Sequence, residues 1–246
     1  MQERVADELR ARIEAGEYAP GARLPTLDEL AASHLCSLAV VRRAVDLLRQ
    51  QGLVTTVQGS GSFVRERPRA RRHGVERYSR SRWRGGQAIL TAEAEAQGHA
   101  AGQVLRELAE VPAPARVAEQ LGVEVGTPVW VRRRTTLIDD RPNQLADSYY
   151  ALDVVRGTLI MEENTGPGGG FARLEDAGHV LDRIREEWAV RMPSGPESVA
   201  LRVPPGTPVV DLVRTTYDMS GRAVEVMLAV LAGDMVTFAY DFPIPD

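Results

Sequence analysis

In the first quarter of the chain, apolar residues recur at helical spacing between clear start and stop signals. Val5, Leu9 and Ile13 lie four residues apart and predict one face of a first helix, which Gly16 ends. The segment 26–29, Thr-Leu-Asp-Glu, has the form of a capping box and predicts a short second helix. The pattern therefore predicts that the N-terminal region is a small helical domain.

A third helix and a hairpin complete this region. Ser37 is a candidate N-cap for a helix that Gly52 ends. The buried face of that helix is predicted to be Val41, Val45 and Leu48. Two runs with the residue types of strands, 53–57 and 62–65, flank a Gln-Gly-Ser-Gly turn. Three helices followed by a hairpin predict a winged helix-turn-helix over residues 1–65.

The second half of the chain contains an internal repeat with an offset of 80 residues. The segment 121–136 aligns without gaps with 201–216, and 9 of the 16 positions are identical. Each copy follows a helix-like segment and precedes a turn and another strand-like run. The unit helix, strand, turn, strand therefore occurs twice, which predicts an antiparallel sheet with helices laid against it.

Charge is distributed unevenly, although the net charge of the chain is only −4. Residues 65–84 carry nine arginines against two acids, whereas residues 85–246 carry 14 arginines against 24 acids. The basic stretch has few apolar residues, so we expect residues 66–84 to be a solvated linker between two folded domains. Two roles stay open for it, a plain hinge and a stretch that contacts nucleic acid.

Several classes of function are disfavoured by the sequence. The longest apolar run, 226–232, is far too short for a membrane helix, so we expect a cytoplasmic protein without membrane contact. A single cysteine, Cys36, and four scattered histidines offer no spacing for metal ligands. No nucleophile elbow, phosphate-binding loop or catalytic triad spacing is found. We therefore expect no enzyme activity, no catalytic residue, no metal and no cofactor.

Several segments of the first domain resemble the DNA-binding domain of GntR-family bacterial transcriptional regulators. They are Gly-Ala-Arg-Leu-Pro-Thr at 21–26, Glu-Leu-Ala at 29–31, Val-Arg-Arg-Ala at 41–44, Gly-Leu-Val at 52–54 and Gly-Ser-Gly-Ser-Phe-Val at 59–64. The resemblance implies that the third helix enters the major groove of DNA and that the hairpin tip reaches the minor groove. It implies DNA contacts from Thr26, Ser37, Arg42, Arg43, Gly59, Ser60 and Gly61.

Two positions depart from the pattern of that family. Asp28 and Leu38 stand where its members usually carry arginine. A carboxylate repels phosphate, and leucine cannot form the bidentate contact that arginine makes with guanine. Three alternatives follow: an unusual operator, weaker binding that the arginine-rich stretch assists, and partial loss of DNA binding.

The repeat domain resembles the effector-binding UTRA domain of the HutC subfamily of GntR regulators. The resemblance rests on Gly-Thr-Pro-Val before each repeat strand, Arg-Thr-Thr along it, and Gly-Arg-Ala-Val-Glu at 221–225. It covers about residues 85–246 and implies a fold shared with chorismate lyase. The expected class is therefore α+β, with a winged helix-turn-helix, a basic linker, and an antiparallel-sheet domain that binds effector and dimerises.

Two features of this domain are candidates for anion binding. Arg132 and Arg134 project from one face of a strand, whereas Arg133 points to the other face. A glycine-rich loop, 164–170, precedes a short helix whose backbone N–H groups can bind an anion. The alternatives are a solvated strand face and an ordinary surface loop. The resemblance implies effector contacts from Arg134, Gly169, Gly170, Phe171 and Glu225, and we add Arg132 to the candidate site.

The predicted function is that of a ligand-responsive transcriptional regulator that acts as a homodimer, most simply as a repressor. Such a dimer binds a palindromic DNA operator and is released by a small effector, which the arginines suggest is anionic. Two alternatives stay open. One is a dimeric sensor with impaired DNA binding that acts through protein partners, and the other is a chorismate-lyase-like enzyme.

Overall fold

The computed structural model describes residues 1–65, 70–241 and 244. The chain forms two compact units. One comprises Met1–Pro68 together with Met192–Pro208, and the other comprises Arg69–Arg191 together with Val209–Asp246. Within the described ranges, no helix has the length and apolar character needed to cross a bilayer.

The first unit starts with three helices and a hairpin. They are α1 (Gln2–Glu14), α2 (Leu27–Ser33), α3 (Leu38–Gln50), β1 (Val54–Val57) and β2 (Gly61–Val64). The hairpin strands are antiparallel, with Val54 opposite Val64. One hydrophobic core joins the five elements and includes Val5, Leu9, Leu30, Val41, Leu48, Val54 and Val64. The predicted winged helix-turn-helix is therefore confirmed.

The starts of α2 and α3 differ in how they are capped. At α2 the Thr26 hydroxyl accepts a hydrogen bond from the Glu29 backbone N–H at 3.2 Å, and the Glu29 carboxylate accepts one from the Thr26 N–H at 2.7 Å. This reciprocal pair is the predicted capping box. At α3 the N-cap is Ser37, whose side chain makes no capping bond in the described part of the chain. The Ser37 side chain is exposed.

The second unit is built on strands with short helices around them. Its strands are β3 (Ala70–His73), β4 (Ala101–Pro112), β5 (Pro128–Ile138), β6 (Arg141–Ala151), β7 (Leu181–Arg191), β8 (Val209–Asp218), β9 (Ala223–Ala232) and β10 (Val236–Ala239). Its helices are α4 (Arg80–Arg84), α5 (Ile89–Glu95), α6 (Ala115–Leu121), α7 (Leu152–Val155) and α8 (Gly169–Asp176). A further helix, α9 (Gly195–Ala200), belongs to the first unit.

Six strands form one antiparallel sheet in the order β4-β5-β6-β9-β8-β7. Hydrophobic clusters cover both of its faces. Tyr149 packs in a cluster with Val117 of α6, whereas the next residue, Tyr150, packs with Leu174 of α8. Successive strand residues point to opposite faces, so helices lie on both sides of the sheet. The predicted α+β class and the antiparallel sheet are confirmed.

The internal repeat has the predicted structure in both copies. The first copy contains α6, β5 and β6, and the second contains α9, β8 and β9. In each copy the two strands pair with each other through a tight turn, at 139–140 and at 219–222. The 80-residue alignment therefore matches equivalent positions of the fold.

The arginine-rich stretch differs from the expected solvated linker. Residues 70–73 form β3, which pairs in parallel with β10, and α4 follows after a 3-10 turn at Glu76–Tyr78. Arg72, Arg77 and Trp83 are buried. The prediction is therefore wrong for 70–84, because composition alone could not reveal distant acidic partners for these arginines. Residues 66–69, with Arg67 and Arg69, lie outside the described residues.

Candidate functional site

A concave groove of about 410 Å³ lies in the first unit between α3 and the hairpin. We call it the α3–hairpin groove. Its polar and charged lining residues include Arg23, Thr26, Arg42, Asp46, Arg49, Thr56, Gln58 and Ser62. Three arginines against one carboxylate give the lining a positive charge, which suits a polyanion such as DNA.

The predicted DNA contacts fall into two groups. Thr26, Arg42, Gly59 and Gly61 line the α3–hairpin groove. Ser37, Arg43 and Ser60 are exposed but do not line it. The Thr26 hydroxyl also donates to the Glu29 carboxylate at 2.9 Å, so it is already bonded within its own helix cap.

Two arginines of the groove were missed by sequence reasoning. Arg23 lies just before α2, and Arg49 lies in the last turn of α3, where it pairs with Asp46 at 3.0 Å. A signal for Arg23 was available, because it belongs to the segment 21–26 that carries the family resemblance. Arg49 gave no such signal, since an arginine in the last turn of a helix is common in any protein.

The positions that depart from the family pattern are exposed. Asp28 lies in the first turn of α2, and Leu38 is the first residue of α3 with 45% of its surface exposed. Leu35, in the turn between these helices, is 91% exposed. The recognition surface therefore combines exposed arginines on α3 with an acidic and apolar edge before it.

A second cavity, of about 320 Å³, lies within the second unit and is called the arginine pocket here. Strands β5, β6, β8 and β9 and the start of α8 line it. It is lined by all six candidate effector residues, Arg132, Arg134, Gly169, Gly170, Phe171 and Glu225. Residues that are up to 93 positions apart in the sequence therefore meet at one site.

The two candidate arginines of β5 are held in different ways. Arg132 is 2% exposed and donates to the backbone carbonyl oxygens of Glu162 and of Glu163, the latter at 2.5 Å. Burial lowers the pKa of Arg132, and nearby Arg134 lowers it further. Arg134 donates to the Ser148 hydroxyl at 2.5 Å.

The orientation of the three consecutive arginines agrees with the prediction. Arg133 does not line the arginine pocket and instead pairs with Asp147 and, at 2.8 Å, with Glu107. Alternation along β5 therefore separates Arg133 from its two neighbours.

Three more arginines line the pocket, and each has a carboxylate partner. Arg214 pairs with Glu225 at 2.8 Å, Arg72 with Glu186 at 3.0 Å, and Arg77 with Glu93 at 3.2 Å. Arg132 and Arg134 have no carboxylate partner among the described residues. These two guanidiniums are therefore the pocket cations that no described carboxylate pairs with directly, although the charge of Arg134 also acts on Glu225.

Glu225 lines the pocket and is bonded to other residues of its wall. Its carboxylate is 3% exposed and accepts hydrogen bonds from Arg214, from the Tyr150 hydroxyl at 3.0 Å and from the Thr216 hydroxyl at 3.2 Å. Burial raises the pKa of Glu225, but Arg214 and Arg134 outweigh burial and the net shift is downward. Glu225 is therefore an ionised residue that orders the pocket wall, with much of its bonding capacity used.

The glycine loop reaches the pocket because it folds tightly against α4. Gly168 has a φ of +78°, and a Cβ there would overlap the Trp83 carbonyl oxygen and lie 2.7 Å from the Ala172 Cβ. Its N–H donates to the Gly86 carbonyl oxygen at 2.8 Å. Glycine is required for this approach, which places the first turn of α8 at the pocket.

The pocket residues that sequence reasoning missed are Arg72, Arg77, Tyr150 and Arg214. The repeat contained a signal for one of them, because the 80-residue offset aligns Arg134 with Arg214. Arg72 and Arg77 were assigned to a solvated linker, and their acidic partners lie on other elements.

A larger cavity of about 560 Å³, the aromatic cavity, is lined by Tyr78, Trp83, Phe171, Trp188 and Tyr240. Phe171 also lines the arginine pocket, so it separates the two spaces. The charged side chains of the aromatic cavity include Arg80, Asp182, Arg183 and Glu186, so the two signs balance there. For an anionic ligand the arginine pocket is therefore the better site.

Comparison with known proteins identifies both parts of the chain. The model of the gntR family of bacterial regulatory proteins matches residues 1–64, and the UTRA domain model matches residues 96–237. An uncharacterized HTH-type transcriptional regulator of Streptomyces coelicolor is 36% identical over 98% of this chain and 92% of its own length. The chain belongs to the GntR family. Its domain combination is that of a HutC-type GntR regulator.

Other relatives of this GntR regulator support the same arrangement. The HTH-type transcriptional repressor NagR of Bacillus subtilis is 24% identical over 96% of this chain and 92% of its own length. The crystal structure of a GntR-family transcriptional regulator is similar with a TM-score of 0.69 and 27% identity, covering 99% of this chain and 98% of that one. The chain is thus a GntR-family transcriptional regulator with a UTRA effector domain.

Proposed function

We propose that this GntR regulator is a homodimeric repressor that binds a palindromic operator through the α3–hairpin groove and leaves it when a small anion fills the arginine pocket. It acts by binding rather than by catalysis, in the cytoplasm where bacterial DNA lies. The observation that carries the proposal is the pair Arg132 and Arg134, which lack carboxylate partners among the described residues. A buried charge without a counterion is costly, so an anionic ligand completes this site.

The chemistry of the ligand follows from the pocket wall. Arginine donors suit a carboxylate or a phosphate, and the first turn of α8, an end of the helix that has free N–H groups, lines the same pocket. The Tyr150 hydroxyl donates a hydrogen bond to the Glu225 carboxylate. This part of the pocket wall is therefore polar, and its side chains are already held in place. A cavity of about 320 Å³ fits a small metabolite with one anionic group.

DNA binding is supported by the charge and shape of the first unit. Arg42 and Arg43 are exposed on α3, and α3 fits the major groove in width. The hairpin turn at 58–60 is exposed and available to the backbone of the duplex. Asp28 and Leu38 cannot make the bidentate contact with guanine that arginine makes. They therefore favour an operator with fewer guanines at these positions than arginine there would select.

The homodimer is supported by the sheet edge and by the expected operator. Strand β7 is an edge strand on which Trp188 is 44% exposed and Val190 is 65% exposed. Exposed apolar side chains on an edge strand favour association with another chain, although most of the other residues of β7 are charged. Two copies related by a two-fold axis then read two half-sites of a palindrome.

The DNA part of the proposal is tested by fluorescence anisotropy with a labelled duplex taken from upstream of the protein's own gene. Arg42→Ala should weaken binding by about 1–3 kcal/mol, because it removes a base or phosphate contact. Arg116→Ala, an exposed arginine of the second unit that pairs with Asp211, controls for the change in net charge. Equal affinity of parent and Arg42→Ala would remove Arg42 from the DNA interface, whereas a lack of specific binding by the parent would favour the sensor that acts through protein partners.

A further inference from the structure

The Gly-Thr-Pro turn occurs once in each copy of the repeat, and its surroundings differ between them. In the first copy Gly126 has a φ of +87°, and a Cβ there would meet nothing within 4 Å. In the second copy Gly206 has a φ of +74°, and a Cβ there would overlap the Gln50 carbonyl oxygen and lie 3.1 Å from that of Arg49. The end of α3 therefore packs against the Gly206 backbone more closely than any side chain allows.

Hydrogen bonds hold the same contact. Arg65 is the residue directly after β2. Its guanidinium donates to the Thr207 hydroxyl and, at 3.4 Å, to the Pro205 carbonyl oxygen. Gly52 also lies close, because a Cβ there would be 3.5 Å from the Gly206 carbonyl oxygen. The turn of the second copy therefore meets both the end of α3 and the end of the hairpin.

The turn of the second copy is also more deeply buried than the turn of the first. Thr207 is 1% exposed, whereas the equivalent Thr127 is only partly buried. Val203 is buried, whereas its equivalent Val123 is partly buried. Because the two turns share the residues Gly-Thr-Pro, their own sequence does not explain the difference.

We propose that the segment 203–207, the docking turn, is the surface on which the DNA-binding domain of the same chain is seated. Its partners there are the end of α3 at Gln50, the loop at Gly52, and Arg65. Hydrogen bonding and close backbone packing make the contact specific, and glycine at 206 is the residue that permits it.

The docking turn is connected along the chain to the arginine pocket, so the contact can transmit ligand binding to the DNA-binding domain. This step rests on the proposed function. The segment that contains it leaves the sheet after β7 and returns at β8. In the sheet Glu186 of β7 lies directly opposite Arg214 of β8, and Arg214 lines the arginine pocket. Strand β8 is therefore part of the wall around a bound ligand, and the same strand begins just after the docking turn.

The proposal is tested by hydrogen–deuterium exchange on the full-length chain without DNA or effector. Gly206→Ala should speed exchange about fivefold or more in peptides covering 47–53 and 62–65, because the loss of the contact uncovers the end of α3. Gly126→Ala introduces the same change at the same turn of the first copy and should leave those peptides unchanged. Since no ligand is present, the result does not depend on whether the proposed function holds.

A second pair of variants separates docking from folding. Thr207→Val removes the acceptor of Arg65 at nearly constant volume, and Thr127→Val is its match in the first copy. Only Thr207→Val should speed exchange near Arg65, even if Gly206→Ala disturbs the whole sheet. Unchanged exchange in Thr207→Val, or equal acceleration in both threonine variants, would overturn the docking surface.

Discussion

Arg134 on β5 and Arg214 on β8 occupy equivalent positions in the two copies of the repeat, but their partners differ. Arg214 forms an ion pair with the buried Glu225, whereas Arg134 donates to the hydroxyl of Ser148. Burial opposes the charge of Arg214, but Glu225 raises its pKa and the net shift is upward. Under the proposed function, one copy uses its arginine to hold the sheet together and the other leaves its arginine for a ligand. Equivalent residues of a duplicated unit would thus be divided between stability and recognition.

The largest change in the free energy of unfolding is expected when Arg214 loses its partner Glu225. Glu225→Ala removes the ion-pair partner of the buried Arg214 and should lower the free energy of unfolding by about 3–5 kcal/mol. Urea titration followed by circular dichroism measures the loss. Asp211 lies on the same strand as Arg214, and Asp211→Ala breaks its more exposed pair with Arg116 of α6, which should cost no more than about 1 kcal/mol. Equal losses in both variants would mean that Glu225 is not the main partner of Arg214.

The unpaired arginine should show the opposite behaviour. Arg134→Ala should abolish the release of operator DNA by effector, yet change the free energy of unfolding by no more than about 1 kcal/mol. The effector is first sought by native mass spectrometry of freshly purified protein, and release is then measured by anisotropy. Arg133→Ala, on the opposite face of β5, should still respond. If Arg134→Ala unfolds the domain or responds as the parent does, the assignment of the pocket is wrong.

The smallest effect is expected on the pH dependence of stability, through Asp218 at the turn of the second copy. Asp218 ends β8 and accepts hydrogen bonds from Ser220 and Arg222. Burial raises its pKa, but these bonds and His179 outweigh burial and lower the pKa to about 2. A carboxyl with a lowered pKa stabilises the fold above its unfolded pKa of about 4, and this contribution is lost as the pH falls towards 2.

Thermal melts between pH 5 and pH 2 should therefore show a steeper acid loss for the parent than for Asp218→Asn. Asp140→Asn changes an exposed acid in the turn of the first copy and should keep the parent's profile. Coinciding profiles of parent and Asp218→Asn would mean that the bonds at this turn do not depend on its charge.

Local signals in the sequence predicted much of this structure. The capping box at Thr26 and the alternation of Arg132, Arg133 and Arg134 depend on neighbours a few residues away, so spacing alone was enough. The six candidate residues of the arginine pocket also meet at one cavity, but for five of them the family resemblance, and not local spacing, supplied the prediction. Their role in binding an effector stays a prediction.

Long-range pairing is what the sequence could not supply. Arg72 meets Glu186 on β7, and Arg77 meets Glu93 on α5, so two arginines of a stretch that looked solvated are buried. Glu225 was expected to face a ligand because nothing local indicated that Arg214 and Tyr150 would use its oxygens. The close approach at Gly206 was equally hidden, since Gly126 carries the same motif without it.

The parallel pairing of β3 with β10 bears on how the protein is made. The core of the winged helix-turn-helix lies entirely within residues 5–64, so it is complete early in synthesis. β3 at Ala70–His73 finds its partner only when Val236–Ala239 has been translated. Because domains fold as units from the N-terminus, the part that reads DNA is ready on the ribosome while the part that senses the ligand still waits for its last strand.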